Sequence, residues 1–249
     1  MYKTINGLVL GRTRFSDSHA YLNILTEEGK ISVLAHGIMS PKNKNFSSCL
    51  PYTYSEFVLK VTGDKITLSQ ATALRYLIKE GVDFEKLTLA NYIVSMARDT
   101  AYASEDAGKI LEITVIALKM LSLAKCSGEI VKAVFELRLM NALGFCPDFS
   151  GCLNCGKKVE DGYFVLSDGA FICDKCNYDE RQRAVKVQKE LTLALEHFFS
   201  LSEKESYGIR FSDPVLENAF ITLAERFSLE HLDCASSALN FYKENLKNF

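Results

Sequence analysis

A chain of 249 residues, 48% hydrophobic and 24% charged, can bury a sizeable core and is too apolar to remain disordered. No stretch approaches the roughly 18 uninterrupted apolar residues of a membrane-spanning helix, and the opening MYKTINGLVLGRTR lacks the apolar core of a secretory signal, so a cytoplasmic protein without membrane contact is expected. The net charge of -2 hides an asymmetry, because residues 1–79 hold 10 Lys/Arg and 5 Asp/Glu (+5) and residues 80–249 hold the other 19 and 26 (-7).

The basic part should attract a polyanion, and it reads as β structure. Short runs rich in Val, Ile, Tyr, Phe and Thr extend over Thr4 to Arg14, Tyr21 to Thr26, Ile31 to His36, Tyr52 to Val61 and Lys65 to Ala71. Glu27-Glu28-Gly29-Lys30 and Thr62-Gly63-Asp64 supply turns, and Ile31, Val33 and Ala35 alternate onto one buried face. Five short strands in this length fit a small closed barrel, which removes the open edges of a flat sheet.

From Phe84 to Gly144 the period becomes helical, and three helices are expected. Gly144 can take the left-handed conformation that ends the third, and Pro147 forbids its continuation. From Ala184 onward the helical period returns, with one helix around Leu191 to Phe199, a second opened by the Asp213-Pro214 cap, and a last short one from Leu239 to Leu246.

Between these helices lie Cys152-Leu153-Asn154-Cys155 and Cys173-Asp174-Lys175-Cys176, two C-x-x-C pairs 17 residues apart, within the spacing of four-cysteine zinc sites. Each pair makes a tight turn that aims both sulfurs at one ion, with Gly156, and Asn177 in the same role, expected to supply positive φ. Tyr163 to Leu166 and Ala170 to Ile172 flank Ser167-Asp168-Gly169, a hairpin signal, so the insert reads as a zinc ribbon. A redox dithiol and unliganded thiols are the competing readings, and Cys146 is a candidate substitute ligand. Four thiolates leave no open position on the ion, so one structural zinc and no catalytic one is expected. Cys49, Cys126 and Cys234 read as small core residues.

The chain holds no phosphate loop, dinucleotide fingerprint, H-E-x-x-H or G-x-S-x-G, and the expectation is a protein that is not an enzyme. The fold class is α+β: an amino-terminal five-stranded barrel over 1–79, a first helical part over 80–145, a zinc ribbon insert over 146–180 and a second helical part over 181–249.

With this order in place, nearly the whole chain resembles the RecO family of bacterial recombination mediators. The resemblance rests on Gly7-Leu8-Val9-Leu10, Tyr21-Leu22 with Leu25-Thr26 and Gly29-Lys30, Ala35-His36-Gly37, Leu50-Pro51-Tyr52, and Leu143-Gly144-Phe145 leading into Cys152-Leu153-Asn154-Cys155-Gly156. It implies an OB-fold that binds single- and double-stranded DNA and anneals complementary strands. It also implies loading of the RecA recombinase onto strands coated by single-strand-binding protein, together with RecR, without nucleotide hydrolysis. Arg12, Arg14, Lys42 and Lys44 are then the basic candidates for DNA contact, and Tyr21, Phe46 and Tyr54 the aromatic ones. For the two lysines a solvated loop, and for the two tyrosines barrel packing, are the alternative roles. Ile38 and Met39 stand where this family usually carries more Lys and Arg, which implies weaker DNA binding.

Overall fold

In the computed structural model, which describes residues 1–79, 81–101, 106–177 and 184–247, the first five strands close on themselves. They are β1 (Tyr2–Arg14), β2 (Ala20–Thr26), β3 (Gly29–Ala35), β4 (Thr53–Thr62) and β5 (Lys65–Tyr76), hydrogen-bonded in the order β1-β2-β3-β5-β4. Every neighbouring pair is antiparallel except β3 and β5, which meet in parallel at Leu34 and Thr67. This is the five-stranded Greek-key barrel of the OB-fold. Alternating side chains, among them Val9, Leu22, Ile24, Val33, Phe57 and Leu59, point inward and form its core. The fifth strand runs to Tyr76, beyond the expected Ala71, because it stays paired with β4 across two register shifts. Each bulge interrupts the period-two pattern, so the sequence signal stops before the strand does.

The chain from His36 to Tyr52 covers one end of the barrel and carries a single 3-10 turn, Ser47–Cys49. Ile38 is fully buried in the barrel core together with Cys49, which explains an apolar residue in an otherwise polar loop. Arg12 fixes this loop from β1: its Nε donates to the Cys49 carbonyl and an Nη to the Phe46 carbonyl, each at 2.8 Å, and its guanidinium lies 4.8 Å from the Phe46 ring centre. Burial lowers the Arg12 pKa, against the opposing influence of Cys49, whose thiol burial pushes up to about 12. Replacing Arg12 with Met keeps the aliphatic stem and removes both charge-assisted bonds. Thermal unfolding should show a loss of about 2 kcal/mol, and an unchanged transition would mean that the loop is held without the Arg12 bonds.

The barrel belongs to a compact unit made of residues 1–125 and the chain from Ala238 onward. It includes α1 (Phe84–Thr100), started by the Asp83 side chain accepting from the Lys86 N–H, and α2 (Ala107–Leu123). Tyr92 of α1 packs on Tyr242 of α6 (Asp233–Lys247) at 5.7 Å between ring centres. Among the described residues no helix is long and apolar enough to cross a membrane.

The second unit spans Cys126–Ser237. Its central helix, α3 (Gly128–Ala142), begins at the Ser127 cap, is buried on nearly every side and packs against α5 (Pro214–His231). Gly144 follows with φ +89°, the left-handed termination expected of it, and Asp213 caps α5 by accepting from the Val215 N–H. The cysteine-rich segment forms four strands where a two-stranded hairpin was expected: β6 (Asp148–Cys152), β7 (Gly162–Val165), β8 (Ala170–Cys173) and β9 (Ala184–Val187), in the order β6-β8-β7-β9. Ala184–Val187 is thus a strand paired with β7 where the onset of helix was expected, and α4 (Lys189–Ser200) begins after it. The boundary expected after residue 180 lies outside the described residues. Cys49 is a core residue as expected, whereas Cys126 and Cys234 are only half-buried.

Candidate metal centre and nucleic-acid face

Strand pairing decides where the four thiols go. Cys152 ends β6 and pairs with Phe171 of β8, Cys173 ends β8, and the 3-10 turn Asp174–Cys176 brings Cys176 back beside them. The Sγ atoms of Cys152, Cys155, Cys173 and Cys176 all lie within 4.8 Å of one another, and those of Cys155 and Cys173 are 3.9 Å apart. That is far beyond a disulfide bond. A tetrahedral ion with bonds of about 2.3 Å to sulfur separates its ligands by roughly 3.8 Å, so the donor set fits a metal held by four thiolates.

The surroundings favour the charged form of Cys152. Burial pushes the Cys152 thiol up, but N–H groups of Cys173, Cys155 and Asn154 and the Cys155 thiol outweigh it and bring its pKa down to about 6. The Cys173 N–H lies 3.4 Å from the Cys152 sulfur and forms part of the outer shell that orients a ligand. Gly156 has φ +69° as expected of the turn, whereas Asn177 has φ -91° and ends the 3-10 turn without left-handed geometry. At Gly162 a Cβ would stand 2.4 Å from the Ile172 carbonyl oxygen, so only glycine permits this close approach of β7 to β8. Cys146 lies outside the four-thiol cluster, exposed, with its sulfur 3.8 Å from the Pro147 carbonyl.

The ribbon sheet is sealed by aromatic contacts. Phe164 of β7 meets Phe227 of α5 edge to face at 5.3 Å, and Phe149 of β6 lies 5.9 Å from Phe199 of α4. His231 at the end of α5 holds the Leu166 carbonyl through Nε2 at 2.8 Å. The four-thiol cluster therefore sits at one end of a sheet whose apolar face belongs to the core of its unit.

On the barrel, the candidate DNA contacts do not form a single cluster. Lys42 and Lys44 are exposed on the loop after β3, and among the described residues neither has an acidic partner. This loop is tied to the β1–β2 turn: the Met39 N–H donates to the Ser18 carbonyl, the Gly37 N–H to His19 Nδ1 at 3.0 Å, and the His19 and His36 rings meet edge to face at 4.8 Å. Arg14, the last residue of β1 before that turn, is paired with Asp17 at 2.7 Å, both exposed. Arg12 and Phe46 engage each other, as described above. Tyr21 stands on the outer face of β2 opposite Leu34, half-buried. Tyr54 instead lines a separate groove with Glu27, Leu74, Arg75 and Glu112, and burial raises its pKa, assisted by Glu27 and opposed by Arg75.

Sequence reasoning missed Phe15. It is 59% exposed in the β1–β2 turn and packs its ring edge to face on Tyr21 at 5.4 Å. An isolated aromatic residue in a turn has no periodic signal; only its place directly after Arg14 could have drawn attention to it.

A closed barrel of this strand order, followed by helices and a four-thiol ribbon, defines an α+β protein with an OB barrel and a candidate metal centre. Residues 1–77 match the family described as recombination protein O N terminal and residues 81–234 the one described as recombination protein O C terminal, and the chain belongs to this RecO family. Its relatives include the DNA repair protein RecO of Acetivibrio thermocellus, 27% identical over 97% of this chain and 96% of the relative. Those of Clostridium perfringens, 25% identical over 86% and 87%, and of Bacillus subtilis, 24% identical over 84% and 83%, are similar along most of their length.

Proposed function

We propose that this chain is a recombination mediator of the bacterial cytoplasm, associated with the nucleoid when bound to DNA. It binds single- and double-stranded DNA through its barrel and anneals complementary strands. With RecR as partner it helps load the recombinase onto DNA coated by single-strand-binding protein. The observation that carries this reading is the union of Lys42 and Lys44, cations without acidic partners among the described residues, with the turn after β1 at one end of an OB barrel. Such barrels bind strands by combining positive charge along the backbone with aromatic surfaces. The chemistry required is non-covalent: phosphates are held, strands are brought together, and no bond is broken. Arg12 can add to this only through the donors not directed at the Phe46 and Cys49 carbonyls.

In the four-thiol cluster we place one structural zinc, whose coordination would be complete and whose chemistry would be to hold β6 and β8 together. The residues that act on DNA are elsewhere, on the barrel.

Two measurements test the reading. Complementary oligonucleotides precoated with single-strand-binding protein should anneal faster in the presence of this chain, and no acceleration by a folded protein would favour a zinc-containing interaction scaffold with little DNA contact. Replacing Lys42 and Lys44 together with Glu should weaken binding to every sequence alike. It should also flatten the salt dependence on single strands by roughly 0.7 per lost phosphate contact, and an unchanged slope would remove both lysines from the site.

A further inference from the structure

We propose that Phe15 and Tyr21 form a base-stacking platform that makes the barrel selective for unpaired nucleotides, an inference that rests on the DNA-binding reading above. The register of the barrel sets Tyr21 on the outer face, opposite Thr13 on β1 and Leu34 on β3. The turn after β1 is closed by the N–H groups of Phe15 and Ser16, which both donate to the His19 carbonyl, at 3.0 and 3.1 Å. That closure holds the Phe15 ring against Tyr21 while leaving it 59% exposed. An edge-to-face pair fixes a ring whose face can receive another flat group, so a base stacks with little further loss of side-chain freedom.

The charges around the pair argue for a strand over an apolar protein segment. Among the described residues at this end of the barrel, Arg14 is paired with Asp17 and Arg12 directs two of its donors at carbonyls, which leaves Lys42 and Lys44 as the cations most open to phosphates. So few free cations give a weak electrostatic grip, and stacking must then supply much of the affinity. A duplex offers the same phosphates with every base face already stacked on its neighbours, and the platform gains nothing from it. The selectivity has a direction: when two bound strands pair, each base leaves the platform for its duplex stack, and the annealed product is released.

The test uses the full chain, which contains no tryptophan. Replacing Phe15 with Ala should weaken binding of oligothymidylate by roughly tenfold, as loss of one stacked base does, and leave duplex affinity unchanged. An abasic strand of equal length should bind the unaltered chain as weakly as oligothymidylate binds the alanine variant. Phe15→Trp should retain binding, and its single indole emission should be quenched by oligothymidylate and unaffected by duplex. Equal losses on single strand and duplex, tight binding of the abasic strand, or an indole blind to oligothymidylate would each overturn the platform while leaving DNA binding intact. Failure of the unaltered chain to bind any oligonucleotide would instead overturn the underlying reading, and the platform with it.

Discussion

Chelation of the zinc proposed for the four thiols should unfold the ribbon sheet of the second unit and lower the thermal transition of the whole chain by roughly 10 °C or more. Structural zinc sites contribute several kcal/mol to folding, and each kcal/mol moves the transition of a chain this size by about 2–4 °C. The strands involved are short: β7 and β8 have four residues each, and a pair of that length is marginal in water without a metal or a packed face. Here the packed face exists, through Phe164 on Phe227 and Phe149 on Phe199, so loss of the ion propagates into α4 and α5. Cys173→Ser should act like chelation, because it removes a ligand 3.9 Å from Cys155 and leaves three thiols unable to complete the site. The same variant should hold less than one zinc per chain by atomic absorption. Affinity for the ion should fall with acid, since the Cys152 thiolate that a pKa near 6 provides at neutral pH is lost below it. A transition indifferent to both EDTA and Cys173→Ser would show that the aromatic face alone holds the ribbon.

How much of this could be read in advance depended on whether the determinant was local. The four thiols were legible because C-x-x-C spacing is a statement about one turn of chain, and the structure gathers all four. The barrel was legible because inward residues such as Ile31, Val33 and Ala35 alternate without interruption. Strands β6 and β9 were not, for different reasons: Asp148–Cys152 pairs in parallel at only two positions around an irregularity, and Ala184–Val187 is four residues long and runs straight into α4. Arg12 illustrates contacts that leave no trace at all, since its partners are backbone carbonyls 34 and 37 residues away, and any residue type would present them. Ile38 looked like a departure in a basic loop, and it is a core residue of the barrel. Tertiary position, not local composition, decided its identity.

The pair Lys132 and Glu136 shows the same limit with a larger energy. Spaced four apart on a helix, these residues would ordinarily stabilise a solvated face by a few tenths of a kcal/mol. In α3 both side chains are at most 1% exposed, 2.9 Å apart, and Lys132 also reaches Glu225 of α5 at 2.9 Å. Replacing Lys132 with Ala removes a cation 2.9 Å from the buried Glu136 carboxylate, and the expected loss is about 3–5 kcal/mol. Glu225 contributes less to that loss because its side chain, 20% exposed, can turn toward water. Removing both buried charges, with Lys132→Met and Glu136→Leu, should recover most of the stability, because apolar groups of similar volume replace a desolvated pair. The pH dependence follows from the same geometry. Burial pushes the Lys132 pKa down, but Glu136 and Glu225 together pull it above its ordinary value. A cation with a raised folded pKa contributes its full stabilisation below the unfolded value near 10.4 and loses it as pH rises through the folded one. Denaturant titrations of the unaltered chain should therefore show this contribution intact at neutral pH and declining only in strong base. In the Met/Leu variant that alkaline decline should be smaller, and a decline of equal size in both proteins would mean that the pair does not govern it.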